Sequence, residues 1–124
     1  MPDYQFDHIH VFNPDPVKAA EFYEKTFGAK KGPVGKLADG RIRVDITIGG
    51  VPIRITPPRS TPLLPDMPPN ALEHFALTTN DLDAAIKELK NKGLKFVQEP
   101  TPAQRASFFL TPENVLVELL EKKT

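Results

Sequence analysis

The sequence predicts an α+β fold built from two βαβββ modules. Three observations support this class: the order of one strand, one helix and three strands occurs twice, the two occurrences align with each other, and a proline-rich segment separates them. The first module covers residues 4–57, the connector residues 57–71 and the second module residues 72–121. Because repeated modules bury their faces against each other, we expect residues 1–124 to form a single domain.

The first module begins with a strand over residues 4–12. In the helix that follows, Asp15 is placed as the N-cap, Pro16 suits the first helical position, and apolar residues keep helical spacing until Gly28. Three strands are then predicted, at residues 33–38, 41–48 and 51–56. This half of the chain therefore has the order βαβββ.

The second module repeats this order. A strand is predicted over residues 72–78, and Asp81 caps a helix that runs to about Lys92 and is closed by Gly93. Three strands follow at residues 94–99, 106–110 and 115–121, with Pro112-Glu113-Asn114 as the last turn. The six prolines within residues 57–71 favour an extended connector between the modules.

The internal repeat places particular side chains at matching positions. "FDHIHVFNPDP" aligns with "LEHFALTTNDL", so His8 matches His74 at a displacement of 66 residues. "GVPIRIT" aligns with "NVLVELL", so Arg54 matches Glu118 at a displacement of 64. In each module the first and last strands are expected to be neighbours whose apolar alternate residues face the helix. Their polar alternates are expected on the opposite side: His8, His10, Arg54, His74 and Glu118.

The strand over residues 41–48 follows the same alternation. Its apolar residues are expected to face the helix: Ile42, Val44, Ile46 and Ile48. Arg43 and Asp45 are expected on the polar face, where Asp45 is placed either to contact a substrate or to neutralise Arg54.

Aromatic residues are assigned by the same reasoning. The first helix carries three of them, which we interpret as packing against the sheet: Phe22, Tyr23 and Phe27. Phe108 and Phe109 are consecutive in a strand, so one of them is expected to face the polar side, and the alternation does not decide which.

Composition excludes several function classes. Lysine plus arginine and aspartate plus glutamate both number 16, so no excess positive charge attracts nucleic acid. No segment approaches the roughly 20 apolar residues of a membrane span, and the N-terminus lacks an export signal, so we expect a cytoplasmic protein with a small-molecule partner. The chain has no cysteine, so a metal ion would be held by nitrogen and oxygen ligands.

Two histidines and a glutamate are the candidate ligands. Neutral imidazoles with one carboxylate form a usual donor set for zinc or ferrous iron, and His8, His74 and Glu118 share the polar face. His10, two residues after His8 on that face, is a candidate fourth ligand, general base or substrate contact.

Three segments of the chain form a recognisable set: "DHI" followed by "FYEKTFG", "EHFAL" followed by "NDLDAAIKELKNKG", and "TPENVLVELLE". Together they resemble the vicinal oxygen chelate superfamily, which includes glyoxalases, methylmalonyl-CoA epimerases, extradiol dioxygenases and bleomycin-resistance proteins. The resemblance implies curved mixed sheets around a metal cleft and a homodimer. It also implies metal ligands on the first and last strand of each module, which match His8, His74 and Glu118. Arg54 occupies the fourth position, where isomerases of the family commonly carry a carboxylate or glutamine.

The resemblance implies a glyoxalase-like lyase or isomerase that requires zinc, nickel, manganese or ferrous iron. Such an enzyme acts on a small substrate with vicinal oxygens through an enolate-type intermediate. Glu118 or His10 would move a proton, and Arg54, with Arg43 and Asp45 beside it, would bind an anionic group. Two alternatives remain open: an Fe(II) extradiol-type dioxygenase, and a metal-free binding protein similar to the bleomycin-resistance proteins.

Overall fold

The computed structural model describes residues 2–64, 71–112 and 115–123, and it confirms the predicted α+β class. Pro65, Pro68 and Pro69 of the connector, and Glu113 and Asn114 of the predicted last turn, lie outside the described residues. The elements are β1 (Gln5–Phe12), α1 (Pro16–Phe27), β2 (Lys30–Lys36), β3 (Ile42–Ile48), β4 (Val51–Thr56), β5 (Leu72–Thr79), α2 (Leu82–Asn91), β6 (Lys95–Gln98), β7 (Ala106–Leu110) and β8 (Leu116–Glu121).

The described elements have the order βαβββ twice, as the repeat predicts. They belong to two compact units. The first unit is His8–Glu73, and the second consists of the residues up to Asp7 together with those from His74 onward. Neither helix in the described part of the chain is long and apolar enough to cross a membrane.

In the first unit, β1 pairs in parallel with β4, and β4 and β2 pair antiparallel with the two edges of β3. The helix α1 starts where Asp15 Oδ1 accepts a hydrogen bond from the backbone N–H of Lys18 at 3.1 Å, and it ends at Gly28 in a left-handed conformation. Its alanines pack on the apolar face of the sheet, and the core of this unit consists of Ala19, Ala20, Ala29, Val44, Ile46 and Ile55, flanked by Val17, Tyr23, Ile48 and Ile53. The predicted helix-facing side of β3 and β4 is therefore confirmed for these residues.

The turn between β3 and β4 fixes the register of these two strands and so determines which polar side chains lie opposite each other. Gly49 and Gly50 have φ values of 55° and 84°, which glycine adopts without steric cost, and they form a two-residue hairpin turn between Ile48 and Val51. Because a hairpin of this length leaves one register, Asp45 lies directly opposite Arg54.

Three predictions for the first unit were wrong in part. The strand β2 covers Lys30–Lys36 rather than 33–38, because the backbone N–H of Leu37 already bonds to Arg41 across the following turn. Ile42 is 42% exposed at the first position of β3, and it does not belong to the core cluster formed with α1. Phe22 and Phe27 are 55% and 60% exposed, because the small residues Pro16, Ala19 and Ala20 form the buried stripe of the helix. Tyr23 alone among the three aromatic residues contacts the core.

In the second unit, β5 pairs in parallel with β8, and β7 pairs antiparallel with both β8 and β6. Asp81 Oδ1 accepts from the backbone N–H of Ala84 at 3.1 Å and so caps α2, as predicted. The helix covers an apolar core formed by Leu82, Ala85, Ile86, Phe109, Val117 and Leu119, with Phe75, Leu77, Leu89, Leu94 and Phe96 around it. Alternation along β5 and β8 predicts which of their apolar residues face the helix, and all four are in this cluster: Phe75, Leu77, Val117 and Leu119.

Candidate functional site

The strand registers of the two units agree with the repeat alignment. In the first unit His10 is the partner of Arg54, and in the second unit Ala76 is the partner of Glu118. His8 lies two residues before His10, and His74 lies two residues before Ala76. Arg54 therefore occupies, relative to His8, the position that Glu118 occupies relative to His74.

His74 and Glu118 form a close pair within the second unit. His74 Nε2 lies 3.1 Å from Glu118 Oε1, and the two side chains are 1% and 15% exposed. The ring of Phe108 meets the imidazole of His74 edge-on at a centroid distance of 5.1 Å. Phe108 is thus the member of the Phe108–Phe109 pair on the polar side, whereas Phe109 belongs to the core under α2.

This pair has the chemistry of a divalent metal site. A carboxylate accepts hydrogen bonds and does not donate them, so His74 Nε2 is the donor in the metal-free arrangement. Nitrogen and oxygen ligands each lie about 2.0–2.2 Å from zinc, which places neighbouring donors roughly 3–3.5 Å apart. The observed 3.1 Å separation suits two ligands of one ion, and binding would release the proton now held by Nε2.

His8 and His10 lie together on β1 in the first unit. Both are buried, at 3% and 4% exposure, and their ring centroids are 6.0 Å apart. A ring nitrogen of His8 lies within 4.8 Å of one of His10, although backbone positions two residues apart on a strand are about 6–7 Å from each other. The side chains therefore converge, so both imidazoles are candidate metal ligands, and His10 keeps the roles of base and substrate contact as well.

A hydroxyl group that the sequence analysis missed contacts His10. Thr56 Oγ1 lies 2.8 Å from His10 Nε2, and Thr56 is fully buried at the end of β4. Arg41 reaches the same place and donates to the Pro57 carbonyl at 2.7 Å. Thr56 follows Arg54 by two residues and so shares its face, which is the signal in the sequence that could have identified it.

Arg43, Asp45 and Arg54 form a cluster on β3 and β4. Asp45 Oδ1 accepts from Arg54 Nε at 3.1 Å, and Asp45 Oδ2 lies 3.5 Å from Arg43 Nε. The expected neutralisation of Arg54 by Asp45 is therefore present. Two guanidinium groups share one carboxylate, so the cluster has one net positive charge, and its side chains are 26–37% exposed. Such a cluster can receive an anionic group from solvent.

Glu73 precedes His74 in the chain, and its carboxylate is engaged in a different interaction within the first unit. Arg59 donates to it through two nitrogens, Nη2 to Oε1 at 3.0 Å and Nε to Oε2 at 3.2 Å. Glu73 has a side chain 1% exposed, so this bidentate pair anchors the beginning of the connector to the start of β5. We therefore do not count Glu73 among the candidate ligands.

Comparison with known families identifies the relationship that these features suggest. A family model described as the Glyoxalase/Bleomycin resistance protein/Dioxygenase superfamily matches residues 5–119. The chain belongs to this superfamily. The matched residues include every candidate metal ligand. The match confirms the predicted resemblance to the vicinal oxygen chelate superfamily and the predicted fold.

Solved structures show the same fold at low sequence identity. A hypothetical protein from Bacillus halodurans C-125 is 23% identical with a TM-score of 0.74, over 98% of this chain and 96% of that one. Methylmalonyl-CoA epimerase from Mycobacterium tuberculosis is 22% identical with a TM-score of 0.71, over 97% and 89% of the two chains. A variant of the Streptomyces coelicolor epimerase in complex with 2-nitronate-propionyl-CoA is 22% identical with a TM-score of 0.72, over 97% and 98%. The comparison with curated proteins gives no significant match.

Proposed function

We propose that this superfamily member is a metal-dependent lyase or isomerase that acts on a small anionic substrate with vicinal oxygens. The observation that carries the proposal is the buried pair of His74 and Glu118, with donor atoms 3.1 Å apart. A buried imidazole and carboxylate at this separation suit metal binding. The repeat aligns a second imidazole, His8, with His74.

His8, His74 and Glu118 are the proposed ligands of one divalent cation: zinc, nickel, manganese or ferrous iron. When bound, such an ion supplies Lewis-acid polarisation of the substrate oxygens. The assignment of these three residues to one ion depends on the repeat and on the family pattern. A binding cleft without metal has no need of two aligned histidines and a glutamate, which argues against the metal-free alternative.

Four further residues of the polar face, together with Glu118, are assigned to the substrate. Glu118, which also binds the ion, and His10 are the proposed proton carriers: one removes a proton from a carbon next to a carbonyl, and the same or the other residue returns it. Arg54 binds the anionic group of the substrate, with Arg43 beside it. Asp45 holds the guanidinium of Arg54 through a hydrogen bond and lies within ion-pair distance of Arg43. Because His10 is the strand partner of Arg54, the proton carrier lies beside the anion-binding group.

The identity of residue 54 favours a second candidate, a ferrous extradiol-type dioxygenase. Arg54 replaces a possible fourth ligand, so the aligned positions supply two histidines and one carboxylate, a donor set typical of oxygen-activating iron enzymes. A cation at this position also removes one base that a two-base isomerase would use.

Proton exchange in heavy water distinguishes these candidates. The metal-reconstituted protein is incubated with methylmalonyl-CoA, which is the ligand in one epimerase complex of the same fold, and with short 2-oxo and 2-hydroxy acids. Loss of the substrate C–H signal is followed by NMR. In parallel, the ferrous protein is given catechol while oxygen consumption is recorded.

We expect metal-dependent C–H exchange with at least one anionic probe, abolished in Glu118→Gln. Oxygen consumption with catechol and no exchange would favour the dioxygenase. Binding of a probe without metal and without turnover would move the assignment to a binding protein. By resemblance to the family, we also propose that the protein acts as a cytoplasmic homodimer.

A further inference from the structure

The hydroxyl group of Thr56 lies at the centre of a small buried network in the first unit. Three groups surround Thr56 Oγ1: His10 Nε2 at 2.8 Å, the carbonyl oxygen of Pro57 at 3.0 Å and Arg41 Nη1 at 3.4 Å. Thr56 is fully buried and His10 is 4% exposed, so these contacts do not exchange freely with solvent.

The chemistry of the neighbours favours one arrangement of the protons. A hydroxyl group has one proton to donate and two lone pairs that accept. The Pro57 carbonyl can only accept and the guanidinium of Arg41 can only donate. With the Thr56 proton directed to Pro57, both lone pairs of Oγ1 are available, one to Arg41 and one to an N–H of His10. In this arrangement every hydrogen-bonding capacity of the hydroxyl group is used.

Arg41 is itself held in place. Its Nε donates to Asp39 Oδ2 at 2.8 Å and its backbone N–H donates to Asp39 Oδ1 at 3.1 Å. The hydrogen bond from the backbone of Arg41, followed by the bond from its side chain, holds the pKa of Asp39 below its usual value. Asp39 therefore stays ionised and keeps the guanidinium directed at Pro57 and Thr56.

The second unit builds the same parallel strand pair without this contact. Its residues at the positions of His10 and Thr56 are Ala76 and Leu120, since Ala76 is the partner of Glu118 and Leu120 lies two residues further along β8. The strand pairing therefore does not require a histidine and a threonine. The two polar residues occur together in the unit that also carries Arg54.

We propose that Thr56 is a positioning residue that holds neutral His10 as the Nε2–H tautomer, which leaves the lone pair on Nδ1. The tautomer stands independently of the proposed function, and a part for His10 in catalysis rests on that function.

The tautomer is measured directly by NMR. The metal-free protein is labelled with ¹⁵N-histidine, and long-range ¹H–¹⁵N correlations are recorded at a pH at which the imidazoles are neutral. The signals of His10 are assigned by their loss in His10→Gln. Thr56→Val removes the hydroxyl group at nearly constant volume, and Thr56→Ser keeps it as the matched control.

We expect His10 to show the Nε2–H pattern in the wild type and in Thr56→Ser, and to lose this preference in Thr56→Val. An Nδ1–H pattern in the wild type would overturn the proposal whether or not the variants fold. An unchanged tautomer in Thr56→Val would do so as well.

The measurement is separate from the proposed enzymatic function because it uses the metal-free protein. A chain that binds no metal but shows the Nε2–H pattern would contradict the function and support the tautomer. Once an active substrate is known, Thr56→Val should lower kcat with little change in KM. Thr56→Ser, which keeps the hydroxyl group, should have a kcat close to that of the wild type. Equal losses in both variants would contradict a role for the hydroxyl group.

Discussion

Replacing Arg54 with glutamate tests whether residue 54 on β4 lies at a metal-ligand position equivalent to that of Glu118 on β8. The change removes the ion pair with Asp45, whose partners are 26% and 37% exposed. A half-exposed pair contributes about 0.5–1 kcal/mol. A like charge directly opposite Asp45 costs a similar amount. Arg54→Glu should therefore lower the free energy of unfolding by about 1–2 kcal/mol, a fall in Tm of roughly 3–8 °C for a domain of this size.

A divalent cation should reverse this loss. The introduced carboxylate lies at the matching position of the ligand strand, so the ion gains a ligand and offsets the repulsion. Any metal present at 100 times its Kd stabilises the folded state by about 2.7 kcal/mol, and a tighter site gives more at the same concentration. We therefore expect a larger rise in Tm on adding zinc or manganese to Arg54→Glu than to the wild type.

Thermal unfolding followed by circular dichroism, with and without metal, measures both effects. Arg54→Leu is the matched control because it removes the ion pair without adding an oxygen ligand. It should lose about 0.5–1 kcal/mol and respond to metal as the wild type does. If the two variants respond equally to metal, residue 54 does not lie at a ligand position and the equivalence with Glu118 is wrong for the site.

Further predictions concern the supports of the site. Phe108→Ala and Phe109→Ala should each cost about 3–5 kcal/mol in chemical denaturation, but Phe108→Ala alone should also weaken metal binding, since its ring packs on His74. Equal metal affinity in both would contradict this assignment. Glu73→Gln should cost about 3 kcal/mol because it leaves the Arg59 guanidinium without its bidentate partner, and a loss below 1 kcal/mol by the same measurement would show that the pair is not important. Asp81→Ala should cost about 1 kcal/mol through loss of the α2 cap, with metal affinity unchanged by calorimetry.

The features that the sequence predicted well depend on local rules. Asp15 and Asp81 cap their helices because a short side-chain oxygen reaches the free backbone N–H groups of the first turn. The faces of β4 and β8 follow from the two-residue period of a strand. The alignment of Arg54 with Glu118 agrees with the strand registers because each unit pairs its first and last strands in the same way.

The features that the sequence predicted poorly depend on packing between helices and strands. Helical spacing groups Phe22 and Phe27 with Tyr23, but the close approach of α1 to the sheet occurs at Ala19 and Ala20, which leaves the two phenylalanines largely exposed. Alternation places Phe108 and Phe109 on opposite faces without saying which face is which. The contact of Thr56 with His10 requires the register of β1 against β4, which no local pattern contains.

Metal content is the most direct test of the central claim that His8, His74 and Glu118 hold one divalent ion. The purified chain is stripped with chelator, reconstituted with zinc, nickel, manganese or ferrous iron, and measured by elemental analysis beside His8→Ala, His74→Ala and Glu118→Ala. Circular dichroism confirms that each variant is folded. We predict one metal ion per chain in the wild type and loss of that ion in all three variants. Failure of the wild type to bind any of the four metals, or unchanged metal content in folded His74→Ala, would contradict the assignment.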